Sequence, residues 1–205
     1  MNKIFLLSII AVLSISAQAQ DDISFGVKGG VNFASLTGDD ADDLDGRTSF
    51  HIGVLVEIPI SDEFSIQPEL LYSQQGSQVT DSFDGITIDN RLNLDYINLP
   101  IVGKYYVAEN FSLEAGTQFG FNISAESVFD VSSDVIGGLA DDGESEDVSD
   151  QISSFDLGAV VGAGYKLEGG LFFQARYVFG FSSVDDAGDT DITNANIQLS
   201  AGYRF

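Results

Sequence analysis

Ile192-Thr193-Asn194-Ala195-Asn196-Ile197-Gln198-Leu199-Ser200-Ala201-Gly202-Tyr203-Arg204-Phe205 separates into two sets when read in steps of two. Thr193, Ala195, Ile197, Leu199, Ala201, Tyr203 and Phe205 form one set. Asn194, Asn196, Gln198, Ser200, Gly202 and Arg204 form the other. Successive side chains of a strand point to opposite faces, so this stretch has one apolar and one polar face. The alternation runs unbroken to an aromatic C-terminal residue. A soluble sheet rarely needs that at its surface. A strand between lipid and a polar interior does.

Seven further segments with the same period precede it. The first, Ile23 to Leu36, sets Phe25, Val27, Val31 and Phe33 against Gly26, Lys28, Gly30 and Asn32. The second, from Arg47, sets Phe50, Ile52, Val54, Val56 and Ile58 against His51, Gly53 and Glu57. The third, Phe64 to Gly76, sets Phe64, Ile66, Leu70 and Tyr72 against Gln67 and Glu69. The fourth, Asn90 to Val107, opens with Leu92, Leu94 and Tyr96 apolar against Asn93 and Asp95. It then slips by one, so that Leu99, Ile101 and Tyr105 oppose Asn98 and Lys104. Pro68 and Pro100 lack an N–H, and a β-bulge is expected at each, the second shifting the register. The fifth sets Phe111, Leu113, Ala115, Phe119, Phe121 and Ile123 against Ser112, Glu114, Gln118 and Asn122. The sixth sets Phe155, Leu157, Val161, Tyr165 and Leu167 against Asp156, Gly158, Gly162, Gly164 and Lys166. The seventh sets Leu171, Phe173, Tyr177, Phe179 and Phe181 against Gln174, Arg176, Gly180 and Ser182.

Turns of a few residues alternate with long acidic connections at Thr37–Gly46, Ser77–Asp89, Ala125–Asp150 and Val184–Asp191. An even strand number with alternating short and long connections predicts an all-β fold. It is an eight-stranded, antiparallel, up-and-down transmembrane β-barrel with both termini on the short-turn, periplasmic side. The strands exceed the ~9–11 residues needed to cross a bilayer, so they should project on the long-loop side.

Periodicity alone does not say which face is inside, and a soluble ligand-binding barrel would invert it. Volume decides. Eight strands enclose room for little more than their own side chains. The apolar set carries Phe or Tyr on every strand, whereas the other is mostly Gly, Ser, Asn and Gln. Small polar residues therefore face in and bulky apolar ones face out. Phe25, Phe33, Phe50, Phe64, Tyr72, Tyr105, Phe111, Phe155, Tyr165, Phe181, Tyr203 and Phe205 fall near strand ends, as two interfacial girdles require. The inward charges are Lys28, Lys104, Lys166, Arg176 and Arg204 against Glu57, Glu69, Asp95, Glu114 and Asp156. Five oppose five, an ion-paired plug being the arrangement that avoids unpaired buried charge. The competing reading is a conducting path.

Upstream, Met1-Asn2-Lys3, the apolar run Ile4–Ile15 and Ala17-Gln18-Ala19 read as a signal peptide over residues 1–19, leaving residues 20–205 as the barrel domain. The run is too short for a transmembrane helix. No Cys is present, which excludes a lipoprotein anchor at that site and any disulfide frame. Asp and Glu number 32 against 8 Lys and Arg, so no basic stripe exists for nucleic acid.

Phe64-Ser-Ile-Gln-Pro-Glu-Leu-Leu-Tyr-Ser-Gln-Gln-Gly76 and Leu94-Asp-Tyr-Ile-Asn-Leu-Pro-Ile-Val-Gly-Lys-Tyr105 resemble the PorT-like outer-membrane β-barrel family. So do the Gly26–Asn32 opening and the Gly202-Tyr203-Arg204-Phe205 ending. The resemblance spans the mature chain and implies the barrel; it implies no activity.

Two groups of residues invite a sharper reading. His51, the only His, points inward near the extracellular end, where a lipid-modifying barrel enzyme would hold its base. Gly53 stands where a His-x-Ser motif needs its Ser, so a polar network is the expectation, with no catalytic residue. Asp39, Asp40, Asp42, Asp43 and Asp45 suggest weak divalent-cation binding. Aligned on Gly46 as an EF-hand loop, however, positions one and twelve are Ala41 and Ile52, and two ligands are missing. No cofactor or metal is assigned. The expected surroundings are outer-membrane lipid and lipopolysaccharide, around a monomer whose extracellular loops are free to meet a protein partner.

Overall fold

The computed structural model describes residues 23–38, 45–83, 86–133, 139–185 and 192–205. The segments read as a signal peptide and as the Asp39–Asp43 cluster lie outside these residues. Nine strands follow in chain order: β1 (Ser24–Thr37), β2 (Asp45–Pro59), β3 (Phe64–Phe83), β4 (Ile86–Ala108), β5 (Phe111–Ser133), β6 (Leu139–Asp147), β7 (Phe155–Lys166), β8 (Leu171–Ser183) and β9 (Thr193–Arg204). All pairings are antiparallel. β1 to β5 and β7 to β9 form a ring of eight, closed where β1 pairs with β9 and β4 with β5; among the described residues β6 pairs only with β5. The closing ladder joins the stretch first read as decisive to the first strand, from Gly26↔Arg204 to Thr37↔Thr193.

The wall has the expected polarity. Along β9, Asn194, Asn196, Gln198, Ser200 and Arg204 are buried in the lumen, while Ile197, Leu199, Tyr203 and Phe205 are exposed outside. The exposed face carries its aromatics at two levels. Phe111 pairs with Tyr165 and, ten positions up each strand, Phe121 pairs with Phe155. Ten residues at ~3.3 Å, tilted by ~40°, span about 25 Å, the height of an outer-membrane apolar band. Short turns close the lower end. Ile60 N–H donates to Phe64 O (2.8 Å) between β2 and β3. Gly169 and Gly170 take positive φ (88° and 96°) between β7 and β8.

Three expectations about the wall are corrected. Neither proline sits at a bulge. Pro68 pairs with Ile101 and Pro100 with Gln118, with no register change at either. The phase of β4 does not slip: Leu94, Tyr96, Asn98, Val102 and Lys104 all point inward, and Asp95 points out. The irregularity lies on the partner strand. There Asp95 pairs with Ser124 and Tyr96 with Asn122, leaving Ile123 as the extra residue of β5. Finally, Ser77–Phe83, Ile86–Asp89 and much of Ala125–Asp150 are strand, not loop. β3 and β4 pair as far as Phe83↔Ile86, and β6 adds to β5 from Glu126↔Asp147 to Ser133↔Leu139. β4 and β5, at 23 residues each, are about twice the length needed to span. A four-stranded sheet thus stands above the belt. Gly76 marks where β3 enters it. Its φ is 121°, and a Cβ there would lie 1.9 Å from Leu92 O.

The environment explains the β4 pattern. Within the belt the outside meets lipid and the inside is polar; above it the outside meets water. Leu94 and Tyr96 turn inward there, into a cluster with Leu36, Ala125 and Val184, against which Leu92, Val148, Ile152 and Ile192 also pack.

Candidate functional site

The lumen holds the concentration of polar chemistry, arranged in layers. Nearest the short turns, Glu57 accepts from Lys104 Nζ (3.1 Å), from Arg204 and from the Tyr106 hydroxyl. Above it, Glu69 is ion-paired with Lys28 Nζ (2.7 Å) and accepts from Arg176 (2.8 Å) and Gln67 Nε2 (2.6 Å). Glu114 accepts from Arg176 Nε (2.7 Å) and Gln174 Nε2 (3.0 Å). Lys104 Nζ, 3.6 Å from Glu114, ties the two layers together. These seven charged residues come from β1, β2, β3, β4, β5, β8 and β9. The eighth wall strand, β7, supplies space. A Cβ on Gly162 would lie 2.7 Å from Arg176 Cγ, and one on Gly164 would lie 2.7 Å from Glu114 Oε1. Each carboxylate has at least two charged donors, which is what makes a buried ion cluster tolerable.

Three residues expected in this network lie elsewhere. Asp95 is on the outer face and accepts from the Tyr72 hydroxyl (2.7 Å); the inverted pattern of β4 above the belt puts it there. Lys166 has inward parity but is exposed at the periplasmic rim, because β7 ends there. Asp156 is buried higher in the lumen, where Asn194 Nδ2 donates to it (3.2 Å).

His51 is 1 % exposed and level with Gly30, deep in the belt, not near the extracellular end. Its Nδ1 lies 2.7 Å from Asn32 Oδ1 and its Nε2 lies 2.8 Å from Ser200 Oγ. Asn32 Nδ2 donates to Phe50 O, Gln74 O and Ser73 Oγ, which fixes the amide and leaves Oδ1 as acceptor. Nδ1 therefore carries the proton, and the Ser200 hydroxyl donates to Nε2. The order Ser–His–Asn is that of a nucleophile relay. The ring packs directly against the β1 backbone: a Cβ on Gly30 would lie 2.8 Å from His51 Cε1. Sequence reading missed Ser200 and Asn32 as partners, although both have inward parity.

The apolar cluster of Leu36, Leu94, Tyr96, Ala125 and Val184 roofs the lumen. The segment after β6 crosses to it as a single 3₁₀ turn, Ser149–Gln151. Val148 N–H donates to Ala125 O (3.0 Å) and Ser153 N–H to Val184 O (2.8 Å), tying the segment to β5 and to the end of β8. The Ser149 hydroxyl and amide hold the Asp147 carboxyl below the usual range. Asp45, the one described member of the first acidic cluster, is exposed. Among the described residues no three His, Asp or Glu converge as for a metal ion.

A polar, ion-paired lumen, a girdled apolar exterior, short turns below and long ribbons above define an integral outer-membrane β-barrel. The sequence profile described as outer membrane protein beta-barrel domain matches residues 17–186, and the chain belongs to that family. Its place is the outer membrane of a Gram-negative cell. Two solved structures share the fold. The crystal structure of Ail, the attachment invasion locus protein of Yersinia pestis, is 16 % identical with a TM-score of 0.51, covering 89 % of this chain and 98 % of that one. That of Neisserial surface protein A is 12 % identical with a TM-score of 0.53, covering 90 % and 100 %. No curated protein matches the sequence.

Proposed function

We propose that this protein is a sealed, monomeric, non-catalytic barrel whose role is to present the acidic sheet above the belt to a partner. The observation that carries the reading is the lumen. Ion pairs from seven wall strands link across it, and the roof of Leu36, Leu94 and Tyr96 stands above them. A plugged barrel does its work at its ends. At the upper end, β6 pairs with β5 on one side, and its other edge pairs with no described strand. The sequence of β6, with Asp141, Asp142, Glu144, Glu146 and Asp147 and no base, suits an extended basic segment of a partner protein. Lipid surrounds the belt, with lipopolysaccharide at its upper rim. The motifs around Pro68 and Pro100, with Glu69 and Lys104 both in the ion network, favour the PorT-like branch of the family. Residues 1–19 serve as the export signal, and residues 20–205 form the barrel. The Asp39–Asp45 run binds divalent cations weakly at most.

Planar-bilayer recording of the pure protein tests the sealed lumen: no steady single-channel steps are expected, and their appearance favours the narrow-pore reading. Titrating protein in nanodiscs with a peptide of alternating Lys and Val tests the docking edge. Binding should weaken with salt and vanish when Leu139–Asp147 is removed. Binding unchanged by that removal sinks the docking claim. Hydrolysis of lipopolysaccharide acyl chains that is lost in His51→Ala would instead favour a lipid-modifying enzyme.

A further inference from the structure

The lower mouth of the barrel is hollow. A cavity of about 900 Å³ opens there on the periplasmic side, a volume within the ~300–1,000 Å³ of small-molecule sites. Its floor is the underside of the lowest ion layer, with Glu57, Ser65, Tyr106 and Arg204. Its sides are the β2–β3 turn, the end of β4, and Lys166 at the end of β7.

The floor carries more positive charge than it neutralises. Glu57 already accepts from Lys104 (3.1 Å), Arg204 and the Tyr106 hydroxyl. Lys104 also turns toward Glu114 (3.6 Å), which Arg176 occupies. Lys166 is the third cation. Arg204, Glu57 and Lys104 are the charges that face it, yet among the described residues no carboxylate lies within ion-pair distance. Two more donors in the lining lack partners, Ser65 Oγ and Arg204 Nε, both on side chains more than nine-tenths buried. Unpaired buried donors are uncommon, and three free donors around one cavity describe a place for an anion.

Two further features narrow the class. Asp62 and Glu109 are exposed on the turns that border the same cavity, whereas the Tyr105 hydroxyl donates to Glu63 (3.1 Å). An anion that carries an ammonium a few bonds away meets both the floor and this rim. The lining also changes face. Glu57, Ser65 and Arg204 are buried in the lumen, while Ile60 in the turn and Val107 on the outer face of β4 are exposed. The cavity therefore runs from a charged floor over the rim to the apolar outer wall. Its level is that of lipid headgroups, because Lys166 follows Tyr165, a member of the lower aromatic girdle.

We propose that this vestibule seats the phosphoethanolamine headgroup of a phospholipid from the periplasmic leaflet. The phosphate meets Lys166 and Arg204, and the ammonium meets Asp62 and Glu109. The acyl chains leave over Ile60 and Val107 onto the outer wall. That apolar exit is what favours a lipid over a free headgroup. The seat depends on the barrel's place in the membrane and not on the edge of β6.

Native mass spectrometry of the full chain, folded in detergent and offered one lipid at a time, reads the retained ligand directly. One phosphatidylethanolamine should be retained in preference to phosphatidylglycerol, which lacks the ammonium, and to phosphatidylcholine, whose methylated ammonium cannot donate to Asp62 or Glu109. Lys166→Gln removes one cation at the headgroup level and should weaken retention about five-fold. Asp62→Asn/Glu109→Gln should abolish the preference over phosphatidylglycerol. Both sets of changes lie at exposed positions, and the heat-modifiable gel shift checks folding. Equal retention of the three lipids, or retention of phosphatidylethanolamine unchanged in Lys166→Gln, overturns the seat. Free glycerophosphoethanolamine that competes as tightly as the lipid overturns the membrane source.

Discussion

Glu69→Gln is the substitution that probes the ion network most sharply. Among the described residues, Glu69 is the only carboxylate within ion-pair distance of Lys28 (2.7 Å), and both side chains are fully enclosed. The replacement keeps size and shape but leaves the Lys28 ammonium with neutral acceptors alone, the new amide oxygen and Gln174 Oε1 at 3.3 Å. Arg176 keeps Glu114 at 2.7 Å and suffers less. Removing one partner of a buried pair costs about 3–5 kcal/mol, because the survivor stays buried and uncompensated. At ~1.4 kcal/mol per factor of ten, the folding equilibrium falls by roughly two to three and a half orders of magnitude. Adding Lys28→Met removes the stranded charge, and the double variant should recover more than half of the loss. The assay is urea unfolding in lipid vesicles, read by the gel shift of folded against unfolded protein. If Glu69→Gln stays within ~0.5 kcal/mol of wild type, or the double variant loses the sum of the two single changes, the lumen is wetter and looser than argued.

Three further outcomes follow from the wall and roof. Leu94→Ala, at a side chain with 0 % exposure, should cost about 2–5 kcal/mol in the same unfolding assay while leaving membrane insertion unchanged, since Leu94 lies above the belt. Leu199→Arg at mid-belt should cost about 2–4 kcal/mol, and Leu167→Arg at the periplasmic edge about 0–1; equal costs would contradict the assigned depths. Gly76→Ala forces a Cβ onto Leu92 O from a left-handed backbone, so a loss above about 1 kcal/mol is expected, with rapid amide exchange confined to the β3–β4 extension.

The belt was legible in the sequence because lipid outside and polar lumen inside impose one alternation on every strand. Lys28, Glu57, Glu69, Lys104, Glu114, Arg176 and Arg204 could be placed by parity alone. The same rule misplaced Leu94, Tyr96 and Asp95, because above the belt water replaces lipid and the preferred face inverts. The inversion imitates a register slip, and Pro100 gave that imitation a plausible site; the real bulge at Ile123 breaks no obvious pattern, since Ile123 remains apolar and outward. The β3–β4 and β5–β6 extensions hid behind composition. Asp, Ser and Gly suggest loops, yet pairing continues through them to Phe83 and Ser133. The partners of His51 were beyond reach for a different reason. Asn32, 19 positions away, meets it across the β1–β2 ladder, and Ser200, 149 away, meets it only because β1 closes on β9.

The orientation of the wall can be measured strand by strand. Because the chain contains no Cys, single cysteines at successive positions from Thr193 to Arg204 can each carry a nitroxide without background. Power-saturation spectroscopy in vesicles then compares collision with oxygen, which concentrates in lipid, and with a polar nickel chelate. Oxygen accessibility should rise at Ile197, Leu199, Ala201 and Tyr203 and fall at Asn196, Gln198 and Ser200; a reversed phase, or no alternation, would contradict the barrel described.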